Sequence, residues 1–111
     1  MKIKTQDYNN VAVVELQGEL DSESVELLQN TIAGIIATHK SGIVLDMGGV
    51  GFIDSAGLGQ LLDVWDYCNE NNCQIRLAGL DETTTKILEV TRLDNKFERY
   101  AELAEAVKSF V

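Results

Sequence analysis

Apolar residues along the chain follow two spacings: short continuous or alternating runs of strand length, and longer segments in which they recur every three or four positions. Val11-Ala12-Val13-Val14-Glu15-Leu16 is apolar and β-branched. Lys2-Ile3-Lys4-Thr5-Gln6 before it reads as an edge strand, paired with it across a turn from Asp7 to Asn10. Gly18-Glu19-Leu20-Asp21 leads into a helix whose candidate caps are Asp21, Ser22 and Ser24, and whose apolar face is Val25, Leu28, Ile32, Ile35 and Ile36. After Gly42, the run Ile43 to Met47 has the length of a buried strand, and Gly48-Gly49-Val50-Gly51 reads as a flexible loop. Leu58, Leu61, Leu62 and Trp65 then recur at helical spacing in a segment ending near Asn71-Asn72. Gln74 to Ala78 reads as a further buried strand and Thr84 to Thr91 as a short helix. Phe97 to Tyr100 reads as a weak last strand, before a final helix that buries Leu103, Val107 and Phe110. The order ββαβαβαβα, with single crossover helices, predicts an α/β fold: a mostly parallel central sheet with right-handed connections, an N-terminal hairpin and four helices.

The chain of 111 residues suits one domain spanning residues 1–111, large enough to bury a core without staples. Nine Lys and Arg stand against eighteen Asp and Glu, for a formal net charge of -9. Such a surface repels nucleic acid and anionic membranes and favours partners with basic patches. The N-terminus lacks the apolar core of a signal peptide, and no apolar run approaches the roughly 18 residues of a membrane span. A cytoplasmic protein without direct membrane insertion is therefore expected. Cys68 and Cys73, with four residues between them, match neither a redox Cys-x-x-Cys pair nor a zinc set, and read as structural thiols. His39 is the only histidine and lies where a cation would compensate a helix C-terminus. No metal site or cofactor is expected.

The most informative stretch is Phe52-Ile53-Asp54-Ser55-Ala56-Gly57-Leu58-Gly59, which puts one hydroxyl at a strand-to-helix junction beside a carboxylate. Ser55 sits where an N-cap belongs, its oxygen able to accept from amides of the first turn. A helix N-terminus also favours added negative charge, so the same serine suits a phosphoryl group. The neighbouring glycines lack the lysine and hydroxyl of a P-loop, and Gly48-x-x-Gly51 lacks dinucleotide spacing. Asp54-Ser55-Ala56-Gly57 is also not the Gly-x-Ser-x-Gly of a serine hydrolase, which here would have only His39 as base. No enzyme activity is expected.

Taken in order, Gly18-Glu19-Leu20-Asp21, Val44-Leu45-Asp46-Met47 and Phe52-Ile53-Asp54-Ser55-Ala56-Gly57-Leu58 resemble the STAS domain, the sulfate transporter and anti-sigma factor antagonist family. Within it they are most similar to the solitary bacterial anti-sigma factor antagonists, and the likeness spans essentially the whole chain. The resemblance implies a single STAS-like domain whose serine, Ser55, is phosphorylated by a partner anti-sigma factor serine kinase. Only the unphosphorylated form would sequester that partner and release the sigma factor, and a serine phosphatase would restore it. Asp54 falls on the acidic residue before the acceptor, and Asp21 on the acidic residue at the start of the first helix, on the partner-facing surface. Gly57 and Gly59 fall on small positions of the first turn, where absent side chains let another backbone approach. Ala56 replaces the second serine of many relatives, leaving Ser55 as the only hydroxyl in the motif. Open parallel sheets bind at the carboxyl ends of their strands. That extends the expected partner surface to Gly48, Gly49 and Gly51, giving a rim of these residues with Asp21, Asp54, Ser55, Ala56, Gly57 and Gly59. The alternative within the family is a STAS subunit of a membrane lipid or anion transport system that acts by protein docking.

Overall fold

Alternation along the two central strands decides the layers. In the computed structural model, which describes residues 1–110, β1 (Lys2–Tyr8) and β2 (Val11–Leu20) form the hairpin, followed by α1 (Val25–Ile36) and β3 (Gly42–Ile53). The chain continues through α2 (Ser55–Glu70), β4 (Gln74–Ala78), α3 (Glu82–Val90), β5 (Glu98–Tyr100) and α4 (Leu103–Lys108). The sheet order is β1-β2-β3-β4-β5, antiparallel between β1 and β2 and parallel elsewhere. Val14 and Leu16 of β2, Ile43 and Leu45 of β3, and Leu77 of β4 face Leu28 and Ile32 of α1, Leu61 and Val64 of α2, and Leu88 of α3. The intervening residues Val11, Val13, Val44 and Ala78 face the other way, onto Ala106 of α4. The two-sided burial of β2 and β3 is what their near-continuous apolar runs require. No described helix is long and apolar enough to cross a membrane.

The expected order of elements is the observed one, with three local differences. The segment Gly48-Gly49-Val50-Gly51 is not a loop: it continues β3, paired with β2 out to Leu20↔Ile53. The register slips twice along this extension, between Glu15 and Gln17 and between Gly18 and Glu19, each slip placing one extra residue on β3. An extra residue reverses the in-out alternation. For that reason Met47, Val50 and Ile53, three apart rather than two, all belong to the helix-side core. The other differences are in helices. Ser24 occupies the N-cap position of α1 without a side-chain capping bond, and in α4 the buried residue is Ala106, with Leu103, Val107 and Phe110 only half-buried.

Helices α1, α2 and α3 are followed by His39, Asn72 and Arg92, each in the left-handed region (φ 60°, 57° and 60°). His39 thus ends α1 through its backbone, donating its N–H to Ile36 O at 3.0 Å, while its side chain is exposed. Asp81 caps α3, accepting from Thr84 N at 2.7 Å, and that hydrogen bond holds its carboxyl below the usual carboxylate range.

The short α4 is latched by one side chain. Arg76, on β4, donates to Glu98 Oε2 (2.8 Å), Ser109 Oγ (2.9 Å) and Gln74 Oε1 (2.9 Å), and its guanidinium lies 3.8 Å from the Phe110 ring centroid. Gly42 makes room for that ring, since a β-carbon there would overlap it. Because six residues cannot hold a helix by themselves, Arg76→Ala is expected to cost about 1–3 kcal/mol from the loss of charge-assisted bonds and the cation–π contact. The loss should be local: amide exchange should accelerate in residues 103–110 before it does so in β3. Uniform acceleration across the sheet would contradict the latch.

Candidate functional site

The far end of the β2–β3 ribbon brings two chain segments together. β4 pairs with β3 only as far as Asp46↔Ala78, so beyond that point β2 and β3 continue without it. Their last pair, Leu20↔Ile53, puts the exit of β2 beside the start of α2, and Asp54 N donates to Leu20 O at 3.3 Å. Asp21 and Ser55, more than thirty residues apart in sequence, therefore open onto the same edge.

Asp54, and not Ser55, is the N-cap of α2. Its backbone is extended (φ -104°, ψ -173°), and its Oδ1 accepts from Gly57 N at 2.9 Å. Ser55 is instead the first residue of the helix, exposed, and its hydroxyl makes no hydrogen bond among the described residues. The expectation that Ser55 is the cap is corrected: the extended conformation that a cap must adopt falls one residue earlier, where a carboxylate is a still better acceptor at a positive helix end. The amides of Ser55 and Ala56, first-turn donors that no intrahelical carbonyl can satisfy, remain beside the free hydroxyl.

Two further contacts fix this turn. A β-carbon on Gly57 would overlap the Leu20 carbonyl oxygen and lie 2.8 Å from its carbon, so the α2 backbone can sit against β2 only if residue 57 is glycine. Gln60, only 2% exposed, reaches across to α1 and donates through Nε2 to Val25 O at 2.7 Å, while its Oε1 has no partner among the described residues. The turn ahead of α1 is closed on itself. Ser24 Oγ donates to Asp21 O at 2.8 Å and accepts from Asp21 N at 3.1 Å, and Asp21 Oδ1 accepts from Glu23 N at 3.0 Å. The Asp21 carboxylate is thus held half-exposed at the edge that also carries Ser55.

Of the expected rim, Asp21, Asp54, Ser55, Ala56 and Gly57 lie together. Gly51 stands at the second register slip, and a β-carbon there would meet open space. Gly48 and Gly49 lie lower on the ribbon: Gly49 pairs with Gln17, roughly 13 Å from the turn at strand rise, and Gly48 approaches Gly79. Gly59 has open space where its side chain would be, so close backbone approach explains Gly57 but not Gly59. Sequence reasoning passed over two residues. Phe52, 52% exposed, is turned outward by the same slip that turns Ile53 inward, and Gln60 is the one polar residue in the buried stripe Gly57, Leu61, Val64, Cys68 of α2. The signal for Gln60 was its place in that stripe. His39 precedes β3 and Ser55 follows it, so the whole length of the strand separates the only histidine from the only hydroxyl of the motif. Among the described residues no three His, Cys, Asp or Glu side chains gather as a metal set.

The sequence model of the STAS domain matches residues 2–106, and the chain belongs to the STAS domain family. The anti-sigma-F factor antagonist RsfB of Mycobacterium tuberculosis is 25% identical over 101 residues, covering 91% of this chain and 82% of RsfB. An anti-sigma factor antagonist from Mycobacterium paratuberculosis superposes with a TM-score of 0.85 at 24% identity, over 97% of this chain and 92% of that one. SpoIIAA in its unphosphorylated form superposes with a TM-score of 0.82 at 22% identity, over 98% and 96% of the two chains. These likenesses agree in fold with the five-stranded sheet and four helices described above.

The two glycines of the α2 start should respond to alanine with opposite signs. Gly57→Ala must push α2 off the Leu20 carbonyl and is expected to cost about 1–3 kcal/mol by overpacking. Gly59→Ala adds a methyl into open space within a helix and should stabilise by about 0.5–1 kcal/mol. Urea midpoints measure both, and a stabilising Gly57→Ala would refute the close approach.

Proposed function

We propose that this STAS domain protein is an anti-sigma factor antagonist switched by phosphorylation at Ser55. In its unphosphorylated form it binds an anti-sigma factor that is also its serine kinase, so that the sigma factor is released. A serine phosphatase returns it to the binding form. The observation that carries this reading is the division of labour between Asp54 and Ser55. A serine at a helix start ordinarily earns its place as a cap, but here the carboxylate of Asp54 caps, and the Ser55 hydroxyl is left exposed with no part in holding the fold. Relatives named as anti-sigma factor antagonists, RsfB among them, support the same reading.

The chemistry suits a substrate. A kinase acceptor has to present its oxygen in line with a γ-phosphate, and a hydroxyl on the first turn of a sixteen-residue helix, pinned by Leu20, Asp54 and Gln60, is presented at little entropic cost. The catalytic base and metal belong to the kinase. The proposed contact surface is Asp21, Asp54, Ser55, Ala56 and Gly59 with the exposed ring of Phe52, which supplies an apolar anchor inside an acidic rim. Gly51 lies on its margin, while Gly48 and Gly49 belong to it only where a partner reaches down the ribbon.

Phosphorylation is expected to act at the interface and not on the fold. A phosphoserine carries about -1.5 to -2 charges. Within this chain, repulsion from Asp54 and Asp21 opposes attraction to the Ser55 and Ala56 amides, each of order 1 kcal/mol or less at a solvated site. At the interface the group must be desolvated where a hydroxyl fitted. A loss of roughly 2–5 kcal/mol there weakens binding by about 30-fold to several thousand-fold.

Incubated with the cognate kinase and ATP, the wild type should gain one phosphate by intact mass and Ser55→Ala none; a phosphate on Ser55→Ala would overturn the assignment. Ser55→Asp should lose most affinity for the kinase while melting within a few degrees of wild type, and Ser55→Ala should bind without being released by ATP.

A charge reversal maps the surface. Asp21→Lys should slow association with the kinase and flatten its salt dependence, whereas Glu105→Lys on α4, across the sheet, should do little. Equal effects from the two would remove support for the Asp21–Ser55 edge.

A further inference from the structure

The opposite end of α2 carries chemistry that the Ser55 switch does not use. After Glu70 the helix is closed by Asn71 as C-cap and by Asn72 in the left-handed conformation. Cys73 N then donates to Cys68 O at 2.9 Å and Asn72 N to Asn69 O at 3.4 Å. This pair of bonds is the Schellman closure, in which the side chains at the two ends of the longer hydrogen bond are brought into contact. Elsewhere that contact is filled by two apolar residues; here both are cysteines, buried and free of any disulfide, with Cys73 Sγ donating to Gln74 O at 4.0 Å.

Their surroundings differ. Cys68 is fully buried beneath α2. Cys73, 4% exposed, lines an open groove of about 650 Å³ with Trp65, Asn69, Asn72, Arg76 and Lys96. The Lys96 ammonium lies over the Trp65 ring, 4.5 Å from its centroid, at the groove wall. A hydrogen bond from the Cys68 thiol favours the Cys73 thiolate and draws its pKa down. The same bond, burial and the neighbouring charge push Cys68 up. Cys73 is thus the more readily ionised of the two and faces a groove whose charged lining is Lys96 and the Arg76–Glu98 pair, while Cys68 is kept as a thiol behind it.

We propose that Cys73 and Cys68 form a peroxide-reactive dithiol, with Cys73 as the attacking sulfur and Cys68 as the resolving one, closing an intramolecular disulfide across the end of α2. The Cys73 thiolate attacks one oxygen of hydrogen peroxide: the S–O bond forms, the O–O bond breaks, and hydroxide leaves and is protonated to water. Cys68, giving up its proton, attacks the sulfur of the Cys73 sulfenic acid: the S–S bond forms, the S–O bond breaks, and a second water leaves. Two thiols lose two electrons and one peroxide is reduced to two waters. The closure sets the two cysteines at the ends of one hydrogen bond, Cys73 N to Cys68 O at 2.9 Å, so the ring to be closed is short. The four-residue spacing that fails as a Cys-x-x-Cys motif is the spacing that this helix ending requires.

The test is independent of Ser55. The folded, reduced wild type is treated with stoichiometric hydrogen peroxide and weighed intact. It should lose two hydrogens, yield a Cys68–Cys73 linked peptide on digestion, remain monomeric on a non-reducing gel, and recover its mass with dithiothreitol. Cys68→Ala should halt at a sulfenic acid on Cys73 that dimedone traps, whereas Cys73→Ala should react roughly tenfold or more slowly and give no adduct on Cys68. An unchanged wild-type mass under conditions that oxidise the urea-unfolded chain, or gain of oxygens without the disulfide, would overturn the proposal. Preferential dimedone labelling of Cys68 would overturn the assigned order. The wild-type measurement needs no variant to fold.

Discussion

The carbonyl of Leu20 is the constraint on which the site depends. It accepts the Asp54 amide and lies against the bare α-carbon of Gly57, so the last residue of β2 meets both the end of β3 and the first turn of α2. Take that meeting away and Asp21, Asp54 and Ser55 are merely acidic and hydroxyl residues on separate connections. With it, the parallel register from Val11↔Gly42 to Leu20↔Ile53 becomes a ruler that sets where the α1 turn stands relative to the serine. The core under the ruler is what keeps it stiff: Leu20 and Leu61 are fully buried and Ile53 nearly so.

That ruler runs on through two register slips, and these explain both what the sequence disclosed and what it hid. The nine elements were legible because β2, β3 and β4 are buried on both faces, which forces continuous apolar runs, while the helices bury one face and keep a period near four. Gly48-Gly49-Val50-Gly51 misled because glycine marks flexible loops and also bulges. Met47, Val50 and Ile53 at intervals of three looked like neither strand nor helix, and only pairing with β2 shows that each interval contains one unpaired residue. The cap was misplaced by one position for a similar reason. Asp54 and Ser55 are both good caps, and which of them is extended depends on where β3 ends, a fact of tertiary pairing. With Asp54 as the cap, the Ser55 hydroxyl stays free, whereas a capping hydroxyl would already have been occupied.

Gln60 shows the cost of coupling the two halves of this edge. Its amide ties α2 to the first carbonyl of α1 but leaves Oε1 buried without a partner among the described residues. A leucine would fill the stripe without that penalty, at the loss of the only side-chain hydrogen bond between α1 and α2 among the described residues. A polar group retained in such a place trades stability for a defined relation between elements, and here the relation is that of the Asp21 turn to the Ser55 turn.

The two proposed sites at the ends of α2 are separate by construction. Sixteen residues span about 24 Å, and between Gly57 and Cys68 the helix is held to the sheet by Leu61 and Val64, both buried. To send a signal from one end to the other, the whole helix would have to slide against a close-packed core, and close-packed cores have discrete arrangements instead of a continuum. The N-terminal end is clamped by Leu20, Asp54 and Gln60, and the C-terminal end by the closure that carries the thiols, so neither a phosphate at Ser55 nor a disulfide at Cys73 finds slack to propagate. Each proposed modification would therefore read out where it is made: a phosphate at Ser55 at the carboxyl ends of β2 and β3, a Cys68–Cys73 disulfide in the groove beside β4. Independent readouts from one helix follow from its being pinned at both ends.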